Sequence, residues 1–502
     1  MDSIRHEKGK NMYDTLSLVS LLKTKKISHQ ELLAECMKSI GAQNEQLNAL
    51  VHYDQTAYVA QLQQTDWQNL PFAGLPIPLK ILGHVKKGWS ASASSILFKD
   101  EKASMTSHFV HRLETLGFIP FGQTNAPEFG FKNVTDPQLY GVSKNPWHTA
   151  YSPGGSSGGA AAAVASGMFS IATASDGGGS IRIPASFSGL IGLKPSRGVM
   201  PVGPGDYRSW QGASVSFAMT RSMRDTETLF YLLRDKENQS PYQAPWAEWQ
   251  HHQAAPHKKR KIGFFIDSPI GNRVSEDAKR VMKRTIDLLV QQGHEVEEVS
   301  YPIDGKALMQ AYYRMNGADT AAMFESIEQQ MGRPLTMKDM ELMTWGIYQS
   351  GKRMRASQYV ASLHVWDQAA VSMEAFFQDY DVLLSPSATT TAPKLATDLQ
   401  SDAIREQLHA IQTLPFSQTE EVVYNMFEKS LHLTPYTQLA NLTGQPAISL
   451  PMGVAENGLP LGVQLQSAKG REDLLFQLGY ELENEGAFQF LHPTKQLEVT
   501  RS

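Results

Sequence analysis

Ser175-Asp176-Gly177-Gly178-Gly179-Ser180-Ile181-Arg182-Ile183-Pro184 decides the reading of this chain, together with Ser152-Pro153-Gly154-Gly155-Ser156-Ser157-Gly158-Gly159 just upstream. Two flexible Gly/Ser linkers would have the same composition. The flanks argue otherwise. Ala160 to Ala165 is an unbroken run of small, helix-compatible residues, and Phe169-Ser170-Ile171-Ala172-Thr173-Ala174 has strand character. Both Gly-rich turns are therefore wedged against buried elements, where linkers do not lie.

Glycine has no Cβ, so it lets the backbone turn sharply and brings N–H groups close to a ligand. Successive N–H groups can form an anion-binding nest. A serine directly after three glycines is placed to attack a carbonyl whose developing oxyanion those groups receive. A phosphate loop would need a Gly-Lys-Ser/Thr ending, which neither segment has. A dinucleotide fingerprint would need a different glycine spacing between strand and helix.

A nucleophilic serine requires a base. The chain has 15 histidines, but no Gly-x-Ser-x-Gly elbow surrounds Ser180. Lys80 is the other candidate, within the apolar run Ile77-Pro78-Leu79-Lys80-Ile81-Leu82. A desolvated lysine titrates far below its usual value of about 10.4 and can accept a proton near neutral pH. A lysine at a strand end can equally snorkel its ammonium into water. Local sequence leaves both readings of Lys80 open.

Working outward, the two ends of the chain supply scaffold. Leu16 to Ile40 has apolar residues at helical spacing, with Ser28 placed to cap a second helix. Ala73 to Leu82 reads as a turn entering a buried strand. His108 to Leu116 reads as a helix leading into a strand at Phe118–Gly122, and another helix follows Thr220 through Leu233. Lys261–Ile266, a helix over Asp277–Gln292 and Glu295–Val299 form a β-α-β unit, which implies parallel pairing. The basic run His257–Lys261 before it is read as a solvated lead-in. Lys306 to Tyr380 is mostly helical, and Asp381–Pro386 is a buried strand. Pro446–Pro451 and Gly462–Gln466 are adjacent strands about an Asn457-Gly458 turn, and a helix from Glu472 to Glu483 closes the fold. The expected class is α/β with one large mixed sheet covered by helices.

Across 502 residues, 41% hydrophobic and 19% charged content is enough for a sizeable core. The balance of 46 basic to 50 acidic residues gives a net charge of −4, which points to no nucleic-acid partner. Cys36 is the only cysteine, so an internal disulfide framework and Cys-rich metal sites are excluded. Met1 to Lys10 is polar, and no apolar run approaches the length of a membrane span. A cytoplasmic protein without membrane contact is expected.

With these residues in place, the chain resembles the amidase signature hydrolases over most of its length. The resemblance rests on Gly74–Lys80, Gly122-Gln123-Thr124-Asn125, Ser152–Gly159, Ser175–Pro184, Gly189–Gly198, Asn441–Pro446 and Gly458–Gly462. It implies a single catalytic unit over 71–502 with a helical segment at 1–70 packed on it, and a variable helical region at 306–378 that shapes the pocket. It implies Lys80 as base, Ser156 as proton bridge on a cis Gly155–Ser156 peptide bond, and Ser180 as nucleophile. Ser157 is the neighbouring alternative to Ser156. The oxyanion hole falls to the backbone N–H groups of Gly177, Gly178, Gly179 and Ser180. Asp176 and Arg182 are expected to brace the loop, with substrate contact by Arg182 the lesser alternative. The implied reaction is amide hydrolysis through an acyl-enzyme, with no metal or organic cofactor, by a monomer or homo-oligomer on a small-molecule amide.

The segments Ile181–Ser186 and Gly203-Pro204-Gly205-Asp206 with Trp210 resemble the branch that hydrolyses cyclic oligoamides. Two other functions fit the same outline: a glutamine-hydrolysing subunit of a tRNA-dependent amidotransferase, and an inactive binding protein on the same fold. Tyr312, Tyr313, Met315, Trp345 and Tyr348, at helical spacing, read as core before pocket.

Overall fold

The computed structural model describes residues 12–245 and 257–497. The polar stretch Met1–Lys10 and part of the connection between Arg234 and His257 lie outside them. Thirteen strands are present among the described residues, in three sheets. In chain order they are β1 (Met12–Tyr13), β2 (Leu50–Tyr53), β3 (Leu75–Lys80), β4 (Phe118–Thr124), β5 (Ala172–Asp176), β6 (Ile191–Lys194) and β7 (Val215–Thr220). Then come β8 (Lys261–Phe264), β9 (Glu295–Glu298), β10 (Val382–Pro386), β11 (Ala447–Val454), β12 (Pro460–Ser467) and β13 (Thr494–Lys495).

The main sheet has eight strands in the order β5-β7-β6-β11-β12-β10-β8-β9. It is mixed. The run from β5 to β10 is antiparallel, while β10–β8 and β8–β9 are parallel. The expected β-α-β unit is present as β8, the helix Glu276–Gln291 and β9, with Lys261 opposite Glu295. The hairpin of β11 and β12 forms about the Asn457-Gly458 turn. Lys306 to Tyr380 folds as the helices Gly305–Met331, Leu342–Gly351 and Ala356–Asp379.

The N-terminal 70 residues are not helical throughout. Helices Thr15–Lys23 and His29–Leu47 are followed by β2, which pairs antiparallel with β4. Ser28 caps the second helix as read, its hydroxyl accepting from Glu31 N–H while Glu31 accepts from Ser28 N–H. The strand expected from Phe169 starts only at Ala172. Phe169 N–H is still bonded to Ala163 O, and Gly167 adopts φ +79, so this stretch ends the preceding helix Gly158–Ala165.

β3 is wholly buried although it contains Pro76 and Pro78. Ile81 N–H donates to Thr124 O of β4, so N–H groups of the other parity point away from β4. Pro76 and Pro78 occupy that parity, and no ladder continues from β3 on this side. The next residue of the same parity is Lys80, whose N–H meets the Thr173 hydroxyl of β5 at 2.8 Å. That contact brings the end of the small sheet to the edge of the large one.

Candidate active site

Three chain segments converge there. β3 ends in Lys80, which is 0% exposed. The Gly154–Ser157 turn precedes the helix Gly158–Ala165, every residue of which is buried. β5 ends in Asp176 and runs through the triple glycine to Ser180 and the helix Arg182–Ser188. The Gly155–Ser156 peptide bond is cis, as the resemblance implied.

Lys80 Nζ lies 2.8 Å from Ser156 Oγ and 3.0 Å from Ser175 Oγ. Burial pushes its amine down to about 7, against a smaller upward pull from the Asp176 carboxylate. The geometry thus decides between the two local readings of Lys80. It does not snorkel. Ser157 takes a different part: its hydroxyl faces Ser175 O at 3.3 Å and its N–H faces Ser180 O at 3.3 Å.

Asp176 holds the glycine loop in shape. Its carboxylate accepts the N–H of Gly179 at 2.7 Å and of Ile181 at 3.1 Å, and the Arg182 Nε–H at 3.0 Å. Burial alone would raise the Asp176 carboxyl, but the Arg182 guanidinium and the Asn441 amide hold it below the usual carboxylate range. Arg182, itself 0% exposed, donates to both Asp176 oxygens, to Thr437 O, to Gln464 Oε1 and to Asn441 Oδ1. Those bonds use all the donors of its guanidinium, so it braces the loop and has none left for substrate.

One assignment needs correction. The Gly179 N–H is directed at Asp176 and is not available to an oxyanion. Gly179 has φ +123, which rotates its peptide out of the nest. The N–H groups of Gly177, Gly178 and Ser180 have no protein acceptor among the described residues.

Ser156, Ser175, Gly177 and Ser180 share one cavity of about 370 Å³. A methyl group on Gly178 would lie 2.6 Å from the Tyr312 hydroxyl, so the helix Gly305–Met331 reaches over the glycine loop. Tyr312 in turn meets the Trp210 ring edge-on at 5.9 Å. Tyr313, Met315, Trp345 and Tyr348 are buried in the core, as their spacing suggested. A larger cavity of about 620 Å³ lies elsewhere, against Cys36 and Arg221, and contains none of these residues.

Sequence reading assigns no role to Ser175, Thr173, His84, Asn441, Thr437 and Gln464, although Ser175 and Asn441 fall within segments that carry the family resemblance. Ser175 and Thr173 left a signal, since Ala172-Thr173-Ala174-Ser175 alternates apolar and polar with the period of a strand. One cluster of metal-ligating type occurs among the described residues, His257, His294 and Glu481. His294 Nδ1 accepts the Arg260 N–H, so Nε2 carries the ring proton and donates it to Glu481 at 2.6 Å. His257 Nδ1 lies 3.1 Å from the other Glu481 oxygen, so the three form a hydrogen-bonded cluster rather than an open ligand set.

A buried lysine bonded to a serine on a cis peptide, with a second serine after three glycines, is the arrangement that the resemblance to the amidases implied. The Amidase family model matches residues 31–476, and the chain belongs to that family. The chain is 37% identical over 483 residues to the lipoamidase of Enterococcus faecalis. That alignment covers 96% of this chain but 65% of the relative, so the chain spans about two-thirds of that protein's length. It is 30% identical to the 6-aminohexanoate-cyclic-dimer hydrolase of Paenarthrobacter ureafaciens, covering 96% of this chain and 98% of that one. A solved structure of 6-aminohexanoate cyclic dimer hydrolase in complex with substrate superimposes with TM-score 0.85 at 29% identity, covering 95% and 97% of the two chains. Among the described residues, no helix is long and apolar enough to cross a membrane.

Proposed function

We propose that the chain is an amidohydrolase that cleaves a carboxylic amide C–N bond through an acyl-enzyme on Ser180. The observation that carries this reading is the Lys80 Nζ–Ser156 Oγ bond of 2.8 Å, made by an amine held down to about 7. Neutral Lys80 takes the Ser156 proton, Ser156 takes the Ser180 proton, and Ser180 Oγ attacks the amide carbon. The N–H groups of Gly177, Gly178 and Ser180 receive the oxyanion. Ser156 then returns a proton to the departing amine, and water releases the acid by the reverse relay.

The substrates proposed are linear or cyclic oligoamides. The likeness to the cyclic-dimer hydrolase supports this, as does a cavity with Leu82, Val85, Phe109 and Trp210 in its walls and, among the described residues, no lysine, arginine or histidine in its lining. Labelling with a fluorophosphonate, followed by peptide mass spectrometry, tests the chemistry. The adduct is expected on Ser180, absent from Ser180→Ala and slowed in Ser156→Ala and Lys80→Ala. An adduct on another serine, or none on folded protein, would defeat the assignment.

A further inference from the structure

We propose that the same cavity carries a second recognition point, the Ser216 hydroxyl aimed by His84, which selects acyl chains bearing an uncharged hydrogen-bond acceptor such as a second amide carbonyl. The inference rests on the amidase reading, because it concerns the chain attached to the scissile carbonyl.

His84 is 1% exposed and stacks on Phe109, a wall residue, at 4.7 Å. Its Nδ1 lies 2.8 Å from Thr173 Oγ1, and its Nε2 lies 3.0 Å from Ser216 Oγ. Thr173 Oγ1 already accepts the Lys80 N–H. Among the described residues His84 Nδ1 is the one acceptor in reach of the Thr173 hydroxyl hydrogen, and burying that hydrogen without an acceptor would be costly. Thr173 therefore donates to Nδ1, and the imidazole carries its proton on Nε2. His84 Nε2–H then donates to Ser216 Oγ. The Ser216 hydrogen, with no protein acceptor among the described residues, is left for the cavity that Ser216 lines.

The placement suits a second contact on one substrate. Ser216 stands opposite Ser175 in the β5–β7 ladder, and Ser175 is a partner of Lys80. Ser214, the residue before β7, lies beside Gly177, and both Ser214 and Ser216 line the cavity, so the Ser216 hydroxyl and the glycine loop open into the same space. The lining also holds the apolar Leu82, Val85, Met105 and Phe109, and among the described residues its one charged member is Asp206. Burial, then the Lys80 charge, pushes the His84 imidazole down to about 3. It stays neutral, so the donor it aims is present at every working pH. An uncharged chain with a polar atom along one edge matches these walls, and an anionic chain does not.

The test uses two anilides with one leaving group and acyl chains of equal length. One chain carries an internal amide, and the other is all methylene. Wild type is expected to favour the amide-bearing chain in kcat/KM, and Ser216→Ala to cut that ratio about tenfold, mainly through KM. His84→Ala should cut it comparably. His84→Gln, whose side-chain amide can donate in place of Nε2–H, should restore part of it. The double variant should lose no more than either single one. An unchanged ratio in Ser216→Ala, or no wild-type preference between two hydrolysed substrates, overturns the inference and leaves the amidase reading standing. Failure to turn over either substrate, with no fluorophosphonate adduct on Ser180, overturns both.

Discussion

Lys80 is one residue whose chemistry depends on its surroundings more than on its type. Removed from water, its amine titrates near 7 in place of 10.5, so the neutral form that can act as a base is available at ordinary pH. The sign follows directly. Protonation disables the base, so kcat/KM is expected to rise with pH through about 7 and then level off. A pH–rate profile checks it, and Lys80→Met should abolish the limb together with at least about 10³-fold of the rate. Asp176 makes the opposite case, a buried carboxylate kept ionised by the Arg182 guanidinium beside it. Asp176→Asn leaves a buried guanidinium without its counter-ion and is expected to cost about 3–5 kcal/mol in urea unfolding.

At the scale of elements, the glycine loop works because its neighbours come too close for any side chain. A Cβ on Gly179 would lie 2.2 Å from Thr437 Oγ1, and its φ of +123 disfavours any L residue. Gly179→Ala is expected to shift the adjoining N–H groups and lower kcat by about 10²-fold or more. The protein should stay folded by circular dichroism, and fluorophosphonate labelling should slow in parallel. The prolines of β3 are a second device of this kind. By withholding ladder donors on one side, they leave Lys80 N–H as the group of that parity that reaches β5.

For the whole molecule, the first and last described strands pair with each other away from the site cavity. β1 pairs parallel with β13, and Asp14 takes a two-pronged bond from Arg224 with both N···O distances at 2.7 Å. Neither residue lines the site cavity. Asp14→Ala, which strands the Arg224 guanidinium, is expected to lower Tm and cost about 3–5 kcal/mol. kcat/KM well below the transition should match wild type, as calorimetry and steady-state kinetics can establish. Much of this architecture was legible in advance. The β8–β9 unit and the β11–β12 hairpin follow from periodicity and turn chemistry. β2 did not: it is four residues long, irregularly registered on β4, and follows a capped helix, so no period could show in it.

By itself the sequence determined the strand-turn-helix chemistry around Ser156 and Ser180, the run that ends in Lys80, and the order of most elements. All of these depend on neighbours a few residues apart. Tertiary structure decided whether Lys80 is buried or snorkels, which hydroxyls it meets, and that Gly179 N–H turns to Asp176. It also brought Thr437, Asn441 and Gln464 to Arg182 from far along the chain. Desolvation and long-range hydrogen bonds arise only when remote segments pack together, and no local pattern of residues records them.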